Sequence, residues 1–458
     1  MRRIGIKVLS TALALIMGIT ICCPLTGVAA TGQKKESDMS KYLTAHVNKE
    51  ALTKRDSDYA GKIRTQKGFQ YVISKGKATI VGYTGTATKL TVPKKLGKKP
   101  VSGIGIGAFA WNSNLKSVTL PDSVTTIEGS AFAGCENMTK ITLGKKVKNI
   151  GDCAFYYTGL TSFTMPDSVT KLGREAFLST FALRKITLSK NLKEIPDSAF
   201  ENSALTSVKL PSGVTTLAYK AFYNCGSLAT INVKNIKKVS GMALKETRWF
   251  SKQGDNVYVG TTFVGTNGNP EGVVIKKGTT KIADYACEGT KVYWDDSIGD
   301  VRRVYSRISK VVIPNTVKSI GEAAFYDNPI KKLTVPSSVT NIGPLAFGFM
   351  KFWQEDLEHD YYYFHDQALK ELNVSEDAGY NEEVANLAWK YYNQYRDEEF
   401  AKAGALEYAN WDGTPTVVMR LEKSYGYCVH TEDFELHGKS GSAAEAFAIQ
   451  NGLKFVAE

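Results

Sequence analysis

The chain has 458 residues, 43% hydrophobic and 22% charged, an ordinary globular composition that excludes wholesale disorder. Its formal charge is +13, carried mostly by lysines spread along the chain. Such basicity would suit a nucleic-acid partner, but with no zinc-finger spacing and no arginine-rich helix that reading is poorly supported and none is expected.

At the start, Arg2, Arg3 and Lys7 precede an apolar run from Val8 to Cys23, which Pro24 and Gly27 break. Val28, Ala29 and Ala30 then offer small side chains to a peptidase, so residues 1–30 read as a secretory signal cleaved after Ala30. The run is shorter than the ~20 apolar residues of a membrane span, so no span is expected after cleavage. Ile21 and Cys22, which precede the two cysteines, do not suit a lipoprotein signal. Cleavage leaves 55 basic against 45 acidic residues, a net charge of +10. That charge favours acidic partners: an anionic protein, an acidic glycan or a wall polymer. A merely soluble basic surface is the plainer alternative.

Residues 31–67 are lysine-rich and aperiodic and read as a flexible basic leader, with a short helix near Met39 to Leu52. Residues 68–108 switch to strand alternation. FQYVISKGKATIVGYTG is hairpin-like, and Leu90 to Pro93 opens a first turn that KLGKKPVSGIGIGAF completes. The hairpin is expected to cover the open end of that turn.

From there to residue 347 the chain repeats LKSVTLPDSVTTIEGSAF and its variants. An Ala-Phe pair closes each copy at Phe109, Phe132, Phe155, Phe177, Phe200 and Phe222, spaced 23, 23, 22, 23 and 22 residues. A fixed period in the twenties with apolar residues at fixed offsets predicts a solenoid, because one copy cannot bury its own apolar side and stacked copies can. Leu244 and Cys287 take the Phe place in later copies, and Phe325 and Phe347 close two clean ones. Insertions are expected near 249–270 and 291–307, and a last repeat strand over Leu369 to Val374, about ten turns in all.

Within a copy, Val118 and Leu120 are expected to point inward and Ser117 and Thr119 outward. The outward pairs continue as Lys140/Thr142, Ser162/Thr164, Lys185/Thr187, Ser207/Lys209, Thr230/Asn232, Lys310/Val312, Lys332/Thr334 and Glu371/Asn373. This hydroxyl and lysine face, with Lys140, Lys185, Lys209, Lys310 and Lys332, is one candidate binding surface. It has no aromatic residue, which counts against sugar stacking there. Its alternative is a solvated face, since Thr suits strands and Lys keeps sheets soluble.

After the repeats, Gly348 to Gln367 is rich in aromatics and acids. Trp353, Tyr361, Tyr362 and Tyr363 make it a second candidate binding site, the alternative being a local core under the following helix. That helix, Asn381 to Gly404, puts Val384, Leu387, Ala388, Tyr391 and Tyr395 on one side. Strands are expected at Thr416 to Leu421, Tyr425 to Val429 and Phe434 to Leu436. Residues 348–435 form one unit and 436–458 a cap with a helix over Ala443 to Asn451.

The repeat units GSAFAGCENMTKITLGKKVKNIGDCAF and STFALRKITLSKNLKEIPDSAF, the opening from Gly68 and the ending LHGKSGSAAEAFAIQNGLKFVAE resemble the BspA-type leucine-rich repeats of bacterial secreted and surface proteins. The resemblance covers roughly Gly68 to Phe347, with breaks, and Leu436 to Glu458. It implies a repeat solenoid, mainly β, with an N-terminal hairpin cap, insertions and one inserted amphipathic helix. It implies secretion and adhesion-type binding, and brings no catalytic residues.

Chemistry is sparse. There is no His-Glu-x-x-His helix, no phosphate-cradling Gly-Lys-Ser/Thr loop and no Gly-x-Ser-x-Gly elbow. The acidic and histidine cluster from Glu355 to Asp366 matches no metal-loop spacing, and Cys428 with His430 is a weak nucleophile signal. No enzyme activity, cofactor or metal is therefore expected; the alternative is an enzyme whose site lies in residues 348–435, with the repeats as its targeting scaffold. Cys135 and Cys225 share a register about 19 Å apart at the usual strand spacing, too far for a disulfide, and read as buried turn residues.

Overall fold

In a computed structural model, the described residues are 62–287, 289, 291–295, 300–304, 306–350, 367–372, 384, 387, 388, 390, 391, 406–409, 415–418, 428, 429 and 434–458. For 291–295, 300–304, 348–350, 406–409, 415–418, 428 and 429 this means the backbone alone. The signal segment, the leader up to residue 61 and residues 351–366 of the aromatic insert lie outside the described residues.

Each repeat forms one coil of a β-solenoid with two short strands. The first strands stack in parallel: Lys89–Thr91 on Ser117–Thr119 on Lys140–Thr142, then Ser162–Thr164 with Lys185–Thr187 and Ser207–Val208 with Thr230–Ile231. Further on, Gly272–Val274 pairs with Lys310–Val312. The second strands stack likewise, with Ile104, Ile127, Ile150 and Leu172 in one register, and all four are buried. The inward residues Val118 and Leu120 are buried and Thr119 is exposed, as period-2 alternation requires.

The Ala-Phe turn makes a third stack. The N–H groups of Phe109, Phe132, Phe155, Phe177, Phe200 and Phe222 each donate to the Ala carbonyl one coil on, at 2.8–3.0 Å. The rings lie in a row, with centroids 5.0, 5.6, 5.2, 5.3 and 5.2 Å apart and planes within 17° of parallel. Ring spacing thus follows the strand spacing of ~4.8 Å. Two left-handed residues bracket each turn: Ser130, Cys153, Glu175, Ser198 and Lys220 before the Phe, and Trp111, Tyr157, Ser179, Asn202 and Asn224 after it. Such backbone costs of order 1 kcal/mol per non-glycine residue, which the turn-to-turn hydrogen bonds offset.

Phe69–Ser74 and Lys77–Tyr83 form an antiparallel hairpin whose second strand pairs in parallel with Lys99–Ile104 of the first coil. Arg64–Gln66, assigned to the leader on sequence grounds, is already a strand on that hairpin. In the first insertion, residues Arg248–Ser251 are helical and Asn256–Val259 pairs antiparallel with Thr262–Thr266. The latter strand also joins the second-strand stack beside Lys281–Ile282. The turns close directly across this insertion, since the Gly241 N–H donates to the Asp284 carbonyl at 2.7 Å. The second insertion is a hairpin of Lys291–Asp295 and Asp300–Val304.

The expected last repeat strand, Leu369 to Val374, is not one: residues 367–371 are helical. The segment Ala-Leu-Lys-Glu-Leu is made of strong helix formers and lacks the β-branched residues of the true strands, so the leucine spacing misled. Glu371 therefore does not belong to the sheet face; its carboxylate accepts from the Tyr391 hydroxyl at 2.8 Å. Asn373 lies outside the described residues. Ala368, Val384 and Ala388 form a small buried cluster separate from the main core. The place beside Lys332–Thr334 goes to Glu435–Gly438, followed by the helix Ala443–Gln450 and the strand Lys454–Ala457. Phe347, Phe434 and Phe447 meet there and close the core, at 6.4 and 5.5 Å between centroids.

Candidate interaction surface

The first-strand stack presents two outward columns. One reads Lys89, Ser117 and Lys140 in register, then Ser162 beside Lys185 and Ser207 beside Thr230. The other reads Thr91, Thr119 and Thr142, then Thr164 beside Thr187. Lysines therefore recur on alternate coils, about 9–10 Å apart at the usual strand spacing, far enough to limit their mutual repulsion. Lys209 follows Val208 directly and shifts the charge to the second column. Lys140, Lys185, Lys209, Lys310 and Lys332 are all exposed. Among the described residues none of these five amines pairs with a carboxylate. A partner's acidic groups would meet amines that need not first break an ion pair.

The surface changes character further along. Gly272 and Val274 stand beside Lys310 and Val312, and the two valines are 65% and 56% exposed. This apolar pair in a hydroxyl column was missed as a site, although Val312 and the repeat register were both readable. At the C-terminal end the carboxylate on the face is Glu435, not Glu371. Lys454 and His437 hold the Glu435 carboxyl below the usual range, chiefly through the hydrogen bond from Lys454. His437 is buried between Glu435 and Glu458, with ring nitrogens 3.1 and 2.8 Å from their oxygens.

Aromatic side chains gather at the turn edge, away from the sheet face. The Trp111 ring lies across Gly134 toward Tyr157, at 6.4 Å between centroids, and Phe181 meets Tyr157 edge-on at 6.1 Å. Phe181 is 58% exposed. Trp353, Tyr361, Tyr362 and Tyr363 lie outside the described residues.

The first two insertions converge. A cavity of about 620 Å³ is lined by Arg248, Phe250 and Asn267 from the first and by Ser306 and Ile308 from just beyond the second. Asn269 Oδ1 accepts from the Arg307 N–H at 2.9 Å, and Arg307 pairs with Glu271, which ties the two segments together.

The cysteines are turn linings. Cys135 Sγ donates to the Phe109 carbonyl at 3.1 Å and Cys225 Sγ to the Phe200 carbonyl at 3.0 Å. Thr158 and Thr180 satisfy the carbonyls of Phe155 and Phe177 from the same offset. Burial pushes the thiols of Cys135, Cys225 and Cys287 up to about 12, so they stay protonated and unreactive at neutral pH. Among the described residues no group of three or more His, Cys, Asp or Glu side chains is placed to hold a metal ion. No helix of the described residues is long and apolar enough to cross a membrane.

The sequence profile of the BspA type leucine rich repeat region matches six copies in this chain, over residues 101–248 and 297–394, more than half of its length. Among solved structures, the chain is similar to a leucine rich repeat protein of T. pallidum, at 31% identity over 39% of this chain and 84% of that one, with a TM-score of 0.37. It is also similar to the pneumococcal vaccine antigen PcpA, at 21% identity over 62% and 78% of the two chains, with a TM-score of 0.39. A leucine rich cell surface protein from Faecalibacterium prausnitzii matches at 20% identity over 62% and 94%, with a TM-score of 0.36. No curated protein matches the chain.

Proposed function

The chain belongs to the BspA-type leucine-rich repeat family, and on that premise we propose that it is an extracellular interaction protein, adhesin-like, that docks an acidic partner on its lysine and hydroxyl sheet face. The observation that carries this is the column of exposed, unpaired amines on alternate coils beside a run of threonines. Hydroxyls supply hydrogen bonds and amines supply steering charge, while the rigid stack holds both at a fixed repeat. Export rests on the basic and apolar character of residues 1–30 and on the habit of the family. The protein acts in this reading by binding, without catalysis or cofactor; the protonated, carbonyl-bound thiols agree with that role.

A second reading shares the same face. An anionic wall polymer in place of an acidic protein would make the chain a structural envelope component, held by its +10 mature charge. Binding of residues 31–458 to immobilised matrix proteins, mucins and wall polymers, measured across a salt series, separates the two. A polymer bound only by charge washes off in moderate salt. Reversing Lys140 and Lys185 to Glu is expected to weaken binding by tenfold or more, roughly 1.4 kcal/mol. Unchanged affinity in that variant overturns the assignment of the face.

A further inference from the structure

Where the coil closing at Phe200 meets the coil closing at Phe222, the interior holds a charge pair that stacking does not need. Glu201 is 0% exposed and Lys220 is 7% exposed. The Lys220 Nζ stands 3.9 Å from Glu201 Oε1, and among the described residues neither Glu201 oxygen has a hydrogen-bond partner. The Ser198 hydroxyl is near enough to favour the charged carboxylate but does not meet hydrogen-bond geometry. The rings of Tyr219 and Tyr223 flank the amine, at 5.3 and 5.2 Å to their centroids. One coil earlier Glu175 accepts a hydrogen bond from Cys153 Sγ at 3.3 Å. Burial raises its carboxyl, and the charge of Glu201 raises it further.

Two ions taken out of water without a short contact between them form a costly pair. Burial works against the charged form of each group and raises the Glu201 carboxyl, although the Lys220 charge opposes this. A nucleophile and an acyl group then share a dry, fixed site, where effective molarity is high and water does not compete.

We propose that Lys220 and Glu201 join in an intramolecular isopeptide bond that cross-links adjacent coils. The lone pair of Lys220 Nζ attacks Glu201 Cδ. The Nζ–Cδ bond forms, one Cδ–O bond breaks, and one water leaves. The proton that Nζ loses leaves with the departing hydroxyl as that water. The step involves no change of oxidation state and no co-reactant. Its product is a neutral amide in place of two buried charges.

Intact mass spectrometry of the purified full chain tests this. The expected mass is one water below that of the sequence, and a tryptic digest is expected to yield a branched peptide linking the segments that carry Lys220 and Glu201. Lys220→Arg should restore the full mass and abolish the branched peptide. A folded wild-type chain at full sequence mass with no branched peptide overturns the proposal, whether or not the variant folds.

Discussion

The phenylalanines and the buried acids act at the scale of single residues. Phe155 is fully buried and touches the rings of Phe132, Phe163 and Phe177, at 5.6, 5.1 and 5.2 Å. Phe155→Ala removes contacts on both faces of the ring and is expected to cost about 3–5 kcal/mol in denaturant unfolding. Phe181→Ala, at a ring 58% exposed, is expected to fall within about 0.5 kcal/mol of wild type. Equal losses at the two sites would mean that burial in the row is not what the repeat phenylalanines contribute. Glu128 makes a different prediction. Burial pushes its carboxyl above the ordinary 4.5, and the hydrogen bond from the Ile106 N–H offsets this only in part. Between 4.5 and the raised folded value the folded chain holds a proton that the unfolded chain has released, so stability falls as pH rises through that window. Melting temperature followed from pH 4.5 to neutrality should fall less in Glu128→Gln than in wild type. Parallel curves would remove this carboxyl from the pH dependence.

At the scale of an element, the turn is where side-chain size and backbone conformation meet. Gly134 has φ of +70°, and a Cβ there would sit 2.4 Å from Trp111 Cδ2 and Cε3. Gly76 has φ of +74° with nothing within 4 Å of the same position. Gly76→Ala thus reports backbone strain alone, of order 1 kcal/mol, while Gly134→Ala adds displacement of the indole. Gly134→Ala is expected to be the more destabilising by at least about 1 kcal/mol in urea unfolding. Equal costs would mean that the Trp111 ring yields without penalty. The repeat elements were legible in the sequence because each carries an inward Val, Ile or Leu between outward polar residues and ends in Ala-Phe. The outward columns followed from the same alternation, and Lys140, Lys185, Lys310 and Lys332 each stand exposed on the first strand of their coil. The closing strand was misplaced because residues 367–371 mimic the leucine spacing, while Glu435–Gly438 lies some sixty residues further on. Long-range pairing of that kind leaves no local signature. The pair Glu201 and Lys220 was also hidden, since each charge alone looks like an exposed turn residue until the coils are stacked.

Taken as a whole, the molecule is a one-dimensional stack, so its stability is a sum of coil terms and neighbour contacts, and its ends matter most. At the N-terminal end Ala78 and Ile80 of the hairpin cover the first coil in register with Val101 and Ile104, and all four are buried. At the C-terminal end Leu436, Phe434 and Phe447 do the same for Leu333 and Phe347, and the strand Lys454–Ala457 lies outermost with its lysine exposed. Removing residues 434–458 would bare the side of the core that Phe347 fills and leave the strand Lys332–Thr334 without a neighbour on that side. Nearest-neighbour coupling predicts a graded response. Amides of Lys310–Val312 and Lys332–Thr334 should lose protection in hydrogen exchange, while those of Ser117–Thr119 and Lys140–Thr142 keep theirs. The insertion at 248–266 should mark where the loss fades, since among the described residues the stack crosses it through the turn bond from Gly241 to Asp284, the Tyr219–Tyr285 ring contact and the inserted hairpin. A uniform loss of protection from end to end would show instead that the coils fold as one cooperative block, and that the insertion does not divide the array.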